Sequence, residues 1–535
     1  MNFLRLNDFL LTVLFQNEEI LAIDKPYGIN SHTNDSKLGQ ADFIQDGLIE
    51  TFERQLGTKL HIVHRLDQTT TGVIIFAKSA EAAKKYSEFF FQRLVKKTYW
   101  FVTDRRPLQD QFYINQMIIH KGKDLEAETE MKLLNKSTRH QLWQANPLTG
   151  RNHQIRIHAS VAGIPLLGDE LYNGSPFSFL CLHNHCIEFP NGIRIESESP
   201  LYFRHLELLE NQILAKALFE NDRRERLFRN SDSDQCYRLV HSKNDFKELG
   251  FTIDQFGSIL VLSCYQEKWT ESENKVFTQF SDLIQKPIIV RLMHNRGKDP
   301  LHKSQFVIQP DSKNFPLKGP AETSWVAYEN KIGYQIRSDS GQSFGLFLDQ
   351  RLQRHWVLNN AKNKNVLNLF AYTCGFSVAA ALGQASQVIS VDTSKNVLNW
   401  GKKNFEVNGL LTENFKFLNR DSLDFLDQCL NKGNKFDLII CDPPSFSRGD
   451  KGVFKIENTL EVLIEKCLAS LSEKGDLLFS TNFENFYIDD IRISIEKVQK
   501  KLELKNLEIN CIHSALDFEL AGKKSILKSF LIRKK

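Results

Sequence analysis

Short apolar runs separated by turn residues fill the chain from Val13 to about Pro190, and Val73-Ile74-Ile75-Phe76 and Thr98-Tyr99-Trp100-Phe101-Val102 are representative. Runs of β-branched and aromatic residues bounded by turn formers predict strands. One amphipathic stretch near residues 80–94 has helical spacing instead, so the region predicts an α+β unit with a mixed sheet. At residues 205–230 the period changes. Leu206, Leu208, Leu209, Ile213, Leu214, Ala217 and Leu218 recur at helical intervals and lead into Asp222-Arg223-Arg224-Glu225-Arg226-Leu227-Phe228-Arg229, a helical connector with a basic end.

From Tyr237 to about Val326 the pattern is strand-like again, with Gly250-Phe251-Thr252-Ile253-Asp254-Gln255-Phe256-Gly257 followed by Ile259-Leu260-Val261-Leu262. This predicts a small β-rich accessory domain. Beyond Ala327, Asn365-Val366-Leu367-Asn368-Leu369, Gln387-Val388-Ile389-Ser390-Val391, Phe436-Asp437-Leu438-Ile439-Ile440 and Asp476-Leu477-Leu478-Phe479-Ser480 alternate with helical stretches. Near-continuous apolar strands are buried on both faces, which predicts a parallel sheet covered by helices, a Rossmann-like α/β domain. A chain of 535 residues is too long for one core. The expected boundaries are 1–204, 205–326 and 327–535.

Composition changes this picture little. With 41% hydrophobic and 25% charged residues the chain is ordinary globular material. The net charge of +4 permits a polyanionic partner without arguing for one, because 69 basic and 65 acidic side chains can be sorted onto different faces. Nine cysteines scattered without a paired framework read as free, buried thiols in a reducing compartment. Asp8 comes early and no long apolar run follows, so secretory and membrane-spanning readings fail and a cytoplasmic protein is expected.

Chemistry enters at His64-Arg65-Leu66-Asp67-Gln68-Thr69-Thr70-Thr71-Gly72, where one carboxylate lies between a cation and a hydroxyl-rich turn. Asp24-Lys25-Pro26-Tyr27-Gly28 precedes it. Leu148-Thr149-Gly150-Arg151-Asn152-His153-Gln154-Ile155-Arg156-Ile157-His158 and Gly163-Ile164-Pro165-Leu166-Leu167-Gly168-Asp169 follow. In this order and spacing the motifs resemble those of the RluA-type pseudouridine synthases, over roughly residues 13–190. The resemblance implies that Asp67 attacks or assists while the C1′–N1 bond of a uridine is broken and remade through C5. It implies that Arg156 pairs with this carboxylate and holds it charged, and that Tyr99 packs on the base and moves a proton. The target uridine must leave its stack, and Arg65 is placed to fill the vacated space. Taken alone, an Asp after a strand is more often a cap or turn residue; the motifs in family order reverse that. Cys181, His183, His185 and Cys186 crowd together but match no common zinc spacing, and strand alternation sends neighbours to opposite faces, so no metal is expected.

In the second half, Val366-Leu367-Asn368-Leu369-Phe370-Ala371-Tyr372-Thr373-Cys374-Gly375 is a strand entering a small-residue turn before a helix that begins near Phe376. Such a turn lets a ligand approach backbone at a helix N-terminus. Asp392 ends the next apolar run, placed to accept hydrogen bonds from ribose hydroxyls. The turn lacks Gly-x-Gly-x-x-Gly, so a nucleoside without a pyrophosphate is expected. With Asp442-Pro443-Pro444-Ser445-Phe446-Ser447 after the fourth strand, the region from about residue 235 onward resembles class I S-adenosylmethionine-dependent methyltransferases. Phe344-Gly345-Leu346-Phe347-Leu348-Asp349-Gln350-Arg351 resembles a motif of bacterial enzymes that methylate large-subunit ribosomal RNA. The resemblance implies S-adenosylmethionine held by Asn368, Phe370, Ala371, Thr373, Gly375, Asp392, Asp421, Asp349 and Arg351. It further implies a planar base held by Asp442, Pro443, Pro444 and Ser445, where the prolines stiffen the loop.

These relatives divide between cytosine C5 and guanine N7 chemistry. C5 methylation needs a cysteine nucleophile, carried just after the fifth strand, where this chain has Ser480-Thr481-Asn482. Cys374 and Cys441 remain, at positions that favour structural thiols. The expectation is a bifunctional RNA-modifying enzyme without membrane contact, acting on ribosomal RNA or transfer RNA, with guanine N7 favoured over cytosine C5. A C-terminal half serving only as an RNA-binding platform is the alternative, which Asp392 and Asp442-Pro443-Pro444 oppose. The basic end of the connector is either a solvated helix face or a patch facing RNA.

Overall fold

The computed structural model describes residues 2–4, 12–33, 47–120, 122–228, 235–241, 250–293, 305–310, 324–340, 343–449, 452–515, 517–518 and 527–535. The chain divides into two compact units: Phe9–Asp232 with Ser272–Phe280, and Met1–Asp8 with Ser233–Glu271 and Ser281–Lys535. No described helix is long and apolar enough to cross a membrane.

The first unit is built on a ten-stranded sheet. Its main path runs Val13–Gln16, Ile20–Lys25, Thr71–Ala77, Leu182–Glu188, Lys96–Thr103, Gln141–Pro147, Glu128–Lys136 and Gln111–Asn115. Ile20–Lys25 and Thr71–Ala77 are buried at every position, which explains the apolar runs Ile20–Ile23 and Val73–Ala77 within them. Thr71–Ala77 pairs antiparallel with Ile20–Lys25 and parallel with Leu182–Glu188, so the sheet is mixed, as the sequence predicts. At the parallel contact Gly72 (φ +102°) passes so close to Asn184 that a Cβ would stand 2.2 Å from its carbonyl oxygen. Only glycine permits that approach and that backbone angle. The amphipathic stretch forms the helix Ala80–Phe91, begun by Ser79, whose side chain accepts from the Ala82 N–H. It ends earlier than its periodicity suggests because the chain turns back at Arg93, in the left-handed region at φ 59°.

The helix Gln212–Phe228 lies in this first unit, whereas the sequence groups it with the accessory region. Its basic end is neither a solvated face nor an outward patch, and Arg229 lies outside the described residues. Arg224 and Arg226 are 2% and 4% exposed. Arg226 donates through Nε and Nη2 to Asp222 (2.8 and 3.0 Å) and through Nη2 to the Glu198 carbonyl (2.7 Å), and it forms an ion pair with buried Asp24. Asp24 also accepts from the Ser197 hydroxyl at 2.7 Å. Burial raises the Asp24 carboxyl above its ordinary value and the Arg226 guanidinium opposes that shift. Buried charges persist when they are paired in this way. The cluster therefore ties the helix to the strand that opens the Asp24-Lys25-Pro26 motif.

The second unit contains two larger sheets. One has five strands in the order Cys236–Val240, Phe251–Phe256, Ile259–Cys264, Ile288–Leu292 and Gln305–Ile308. The other has eight, in the order Asn2–Leu4, Leu507–Ile512, Lys528–Lys534, Leu471–Thr481, Phe436–Cys441, Asn365–Leu369, Gln387–Asp392 and Lys416–Asn419. From Leu471–Thr481 to Lys416–Asn419 every pairing is parallel, and Lys528–Lys534 alone runs antiparallel between its two neighbours. Alternate strand residues feed two cores. Val366, Val388, Leu438 and Leu478 join one, while Leu367, Ile389, Ile439 and Leu477 join the other. This is the doubly covered parallel sheet expected of a Rossmann-like domain.

Candidate active sites

A cleft of about 900 Å³ opens in the first unit, and Arg65, Asp67, Tyr99 and Arg156 all line it. The structure thus brings together the four residues that the motifs single out. What fixes them is buried polar chemistry. Lys25, fully buried, donates from Nζ to the carbonyls of Pro26 (3.1 Å), Gln68 (2.9 Å) and Thr70 (2.8 Å), using all three ammonium N–H groups. Burial draws its pKa down to about 7, and the Asp67 carboxylate pulls the other way. The lysine of the Asp24-Lys25-Pro26 motif thereby holds the loop 67–70 beneath the Asp67 carboxylate.

His64 is structural. Its Nε2 accepts the Ile75 N–H at 3.0 Å, which assigns the ring proton to Nδ1, and the ring stacks on Phe90 (centroids 4.9 Å, 23° between planes). Burial, and then Lys97, lower its pKa to about 3.

Arg156 pairs with Asp67, as the motif implies, and is held by a second carboxylate as well. It is bonded bidentately to Asp169, Nε and Nη2 each at 2.7 Å, and only its Nη1 faces Asp67, 3.7 Å from Oδ2. Asp169 is 2% exposed, so the arginine is anchored from the interior and offers its remaining edge to Asp67. His153 approaches the same Oδ2 with Nε2 at 3.7 Å, while its Nδ1 lies 2.9 Å from the Tyr172 hydroxyl. His153 adopts φ 55° just before the helix Gln154–Val161, an orientation set by Gln154. The Gln154 side chain accepts from Thr149 (2.7 Å) and the Arg151 N–H (2.9 Å) and donates to Glu128 and Thr129 (2.8 and 2.9 Å). Asp169, His153 and Tyr172 are site residues that the sequence reading does not single out. Two of them stand inside motifs already visible there. Tyr99 keeps its proton, since burial and then Asp67 raise its phenol well above the ordinary value.

The cysteine and histidine cluster serves the strand core. His183 bonds the Thr71 hydroxyl (2.9 Å), His185 stacks on Trp100 (4.0 Å, 22°), and Cys181 and Cys186 are buried. Among the described residues no group of three metal-binding side chains occurs.

In the second unit strand register assembles the site. Leu369 lies beside Cys441 on one side and Val391 on the other, so the turn after Leu369, Asp442 and Asp392 emerge together at the carboxyl ends of adjacent parallel strands. These strands mark the switch point of the sheet, where ligands of such folds bind. The turn is held from both sides. Asp392 accepts the Tyr372 N–H (2.9 Å) and the Ser394 N–H (2.8 Å), and the Thr373 hydroxyl donates to the Gly345 carbonyl (2.6 Å). Phe370 packs against Phe454 (5.4 Å), Ala371 is buried, and Gly375 opens the helix Gly375–Leu382. Asp421 caps the helix Ser422–Asn431, its Oδ1 accepting two backbone N–H groups at 2.9 and 3.1 Å.

Two residues expected at the cofactor have other tasks. Asn368, 1% exposed, donates to Ser377 (2.9 Å) beneath the turn. Arg351, 3% exposed, forms a bidentate pair with Asp517 (2.9 and 2.7 Å). Burial, and then the Asp349 carboxylate, push the Asp442 carboxyl up to about 8, and burial also raises Asp349. Pro443 is buried and Ser445 donates to Asn482 at 3.2 Å, joining the loops after the fourth and fifth parallel strands.

Fold and sites define a class: an RNA pseudouridylate synthase domain followed by an S-adenosylmethionine-dependent methyltransferase domain. Family models for these two match residues 19–161 and 238–491, respectively. Over 249 residues the chain is 31% identical to the ribosomal RNA large subunit methyltransferase K of Neisseria meningitidis, covering 46% of this chain and 70% of that protein, and the chain belongs to that family. It is 30% identical over 301 residues to the ribosomal RNA large subunit methyltransferase K/L of Psychromonas ingrahamii, covering 55% of this chain but only 39% of the relative. Among solved structures, a putative methyltransferase complexed with SAH matches at a TM-score of 0.52 and 25% identity, over 71% of this chain and 98% of that one. A putative SAM-dependent methyltransferase from Streptococcus mutans matches at the same score and identity over 64% and 85%. The cofactor is S-adenosylmethionine.

The state of His64 gives a pH dependence. A histidine whose folded pKa lies near 3 against about 6.5 unfolded binds fewer protons when folded, so its contribution to stability is complete above pH 6.5 and is lost as the pH falls toward 3. Acid unfolding of His64→Gln, followed by circular dichroism, should show a shallower loss of stability across that window than the wild-type chain. An identical slope in both proteins would contradict the assignment.

Proposed function

We propose that the chain is a bifunctional RNA-modifying enzyme that isomerises uridine to pseudouridine in its first unit and methylates a base of large-subunit ribosomal RNA in its second. The observation that carries the first half is the set of groups around Asp67: Arg156 and His153 at 3.7 Å from one oxygen, and a protonated Tyr99 in the same cleft. Isomerisation detaches N1 from C1′, turns the uracil, joins C5 to C1′ and moves the C5 proton away. Asp67 supplies the anionic group, Arg156 keeps it charged, and Tyr99 is the acid–base partner at the base. Arg65, exposed on the cleft wall, takes the place of the extruded nucleotide. The relatives named as ribosomal RNA large subunit methyltransferases support ribosomal RNA as the substrate.

In the second unit S-adenosylmethionine supplies the methyl group. Asp392 binds its ribose with the lone pairs left after its two backbone bonds, and the turn after Leu369 provides the floor. For the acceptor atom, guanine N7 fits better than cytosine C5. All nine cysteines are buried; burial pushes Cys374 up to about 12 and Cys441 well above the usual thiol range, so neither offers a thiolate. Ser480 is spent on Ser529 at 2.8 Å. A ring nitrogen is already nucleophilic and needs only to be positioned, which Asp442, the two prolines and Ser445 can do.

Two single substitutions should separate the halves in the full chain. Asp67→Ala abolishes pseudouridine formation and leaves methyl transfer at the wild-type rate, as read by mass spectrometry of treated ribosomal RNA. Asp392→Ala weakens S-adenosylmethionine by about 1–3 kcal/mol, the scale for removing a charged hydrogen-bond partner, while isomerisation persists; unchanged affinity by calorimetry would move the cofactor site elsewhere. Borohydride reduction followed by aniline should cleave the methylated RNA at a guanosine, the reaction of N7-methylguanosine. Covalent trapping on RNA containing 5-fluorocytosine, prevented by Cys374→Ser or Cys441→Ser, would establish C5 chemistry instead.

A further inference from the structure

The helix Ala80–Phe91 ends in three consecutive phenylalanines, and only two are used by the interior. Phe89 packs against Tyr86 (5.7 Å) and Phe189 (6.3 Å). Phe90 stacks on His64 and meets Phe189 edge-on at 5.9 Å. Phe91 is left 83% exposed, yet it lines the cleft that holds Asp67. Its position is fixed: the Phe90–His64 stack pins the helix end to the segment carrying Arg65 and Asp67, and the left-handed turn at Arg93 sends the chain straight back into the strand Lys96–Thr103. An aromatic ring on a rigid rim, open to solvent, is a platform in search of a flat partner.

The charge of the cleft says what kind of partner. Its lining carries four arginines, Arg65, Arg93, Arg151 and Arg156, and Lys97, whose pKa burial lowers to about 8, against one lining carboxylate, Asp67; Glu126, Glu128 and Asp169 pair with Arg93 and Arg156 from outside the lining. Such a surface attracts a polyanion, and cations interleaved with an exposed aromatic suit a single strand whose bases are unstacked. We infer that Phe91 is a stacking platform for an unpaired base of the RNA, next to the nucleotide that enters the cleft. The inference rests on the reading of this cleft as an RNA site and adds a contact outside the reaction centre. Phe91 touches no reacting atom. It acts by holding a neighbouring base once the target has left its stack, which favours the extruded state of the substrate.

The test uses the full-length protein and a short single-stranded RNA with a central uridine flanked by 2-aminopurine, whose fluorescence responds to stacking. Phe91→Ala should weaken binding about tenfold, the scale for losing one base–aromatic stack, and abolish the change in 2-aminopurine emission. Phe91→Tyr should restore both to within about twofold, since a phenol offers the same face. The salt dependence of affinity should stay as in the wild type, because no phosphate contact is removed. The thermal unfolding profile of the full chain, followed by circular dichroism, should be unchanged and serves as the folding control. Wild-type affinity and an unaltered fluorescence response in Phe91→Ala would overturn the inference and leave the ring to a protein partner. Failure of the wild-type protein to bind the RNA at all would overturn both this inference and the RNA reading of the cleft.

Discussion

The first unit depends on a buried ammonium. Lys25 has no access to water, and it is tolerated there because three backbone carbonyls, two of them in the loop 67–70, accept its three N–H groups. An ammonium stripped of water and left unpaired would cost several kcal/mol, so the loop cannot move without exposing that cost. Next to it, Gly72 brings Thr71–Ala77 within a distance of Asn184 that no side chain would allow. Loop and strand are thus fixed together, and Asp67 projects from their junction. The ion pair of Asp24 with Arg226 extends the same logic by one residue, securing the strand from the opposite side.

The second unit reaches a comparable result with different means. Its reactive groups stand at the ends of strands buried on both faces, and register alone brings the turn after Leu369, Asp392 and Asp442 into one row. Backbone N–H groups of Tyr372 and Ser394 orient Asp392. Burial, and then the Asp349 carboxylate, raise the proton affinity of Asp442, and burial raises that of Asp349.

Much of this was legible in the sequence, and the failures share a cause. Strands such as Asn365–Leu369 could be read directly, because a doubly buried strand has no polar alternation to confuse it. Motif order groups Asp67, Tyr99, Arg65 and Arg156, and all four line one cleft. What the sequence could not supply was pairing through space. Arg224 and Arg226 have the composition of a solvated helix face and are buried, and the partners Asp24, Ser197 and Glu198 of Arg226 come from other elements. Arg351 sits inside a motif that marks the family and is nonetheless spent on Asp517, far along the chain. Arg156 keeps the Asp67 partner that the motif names, and the fold adds Asp169 as its anchor.

On a shared RNA, two activities on one chain would raise the local concentration of each, yet nothing in the proposed chemistry of Asp67 calls for a methyl donor. The most direct measurement is the release of tritium to water from large-subunit ribosomal RNA labelled at C5 of uridine, with the full-length protein, in the presence and absence of S-adenosylmethionine. Two self-sufficient sites predict release at the same rate under both conditions. Release that requires the cofactor, or no release at all, would contradict the account.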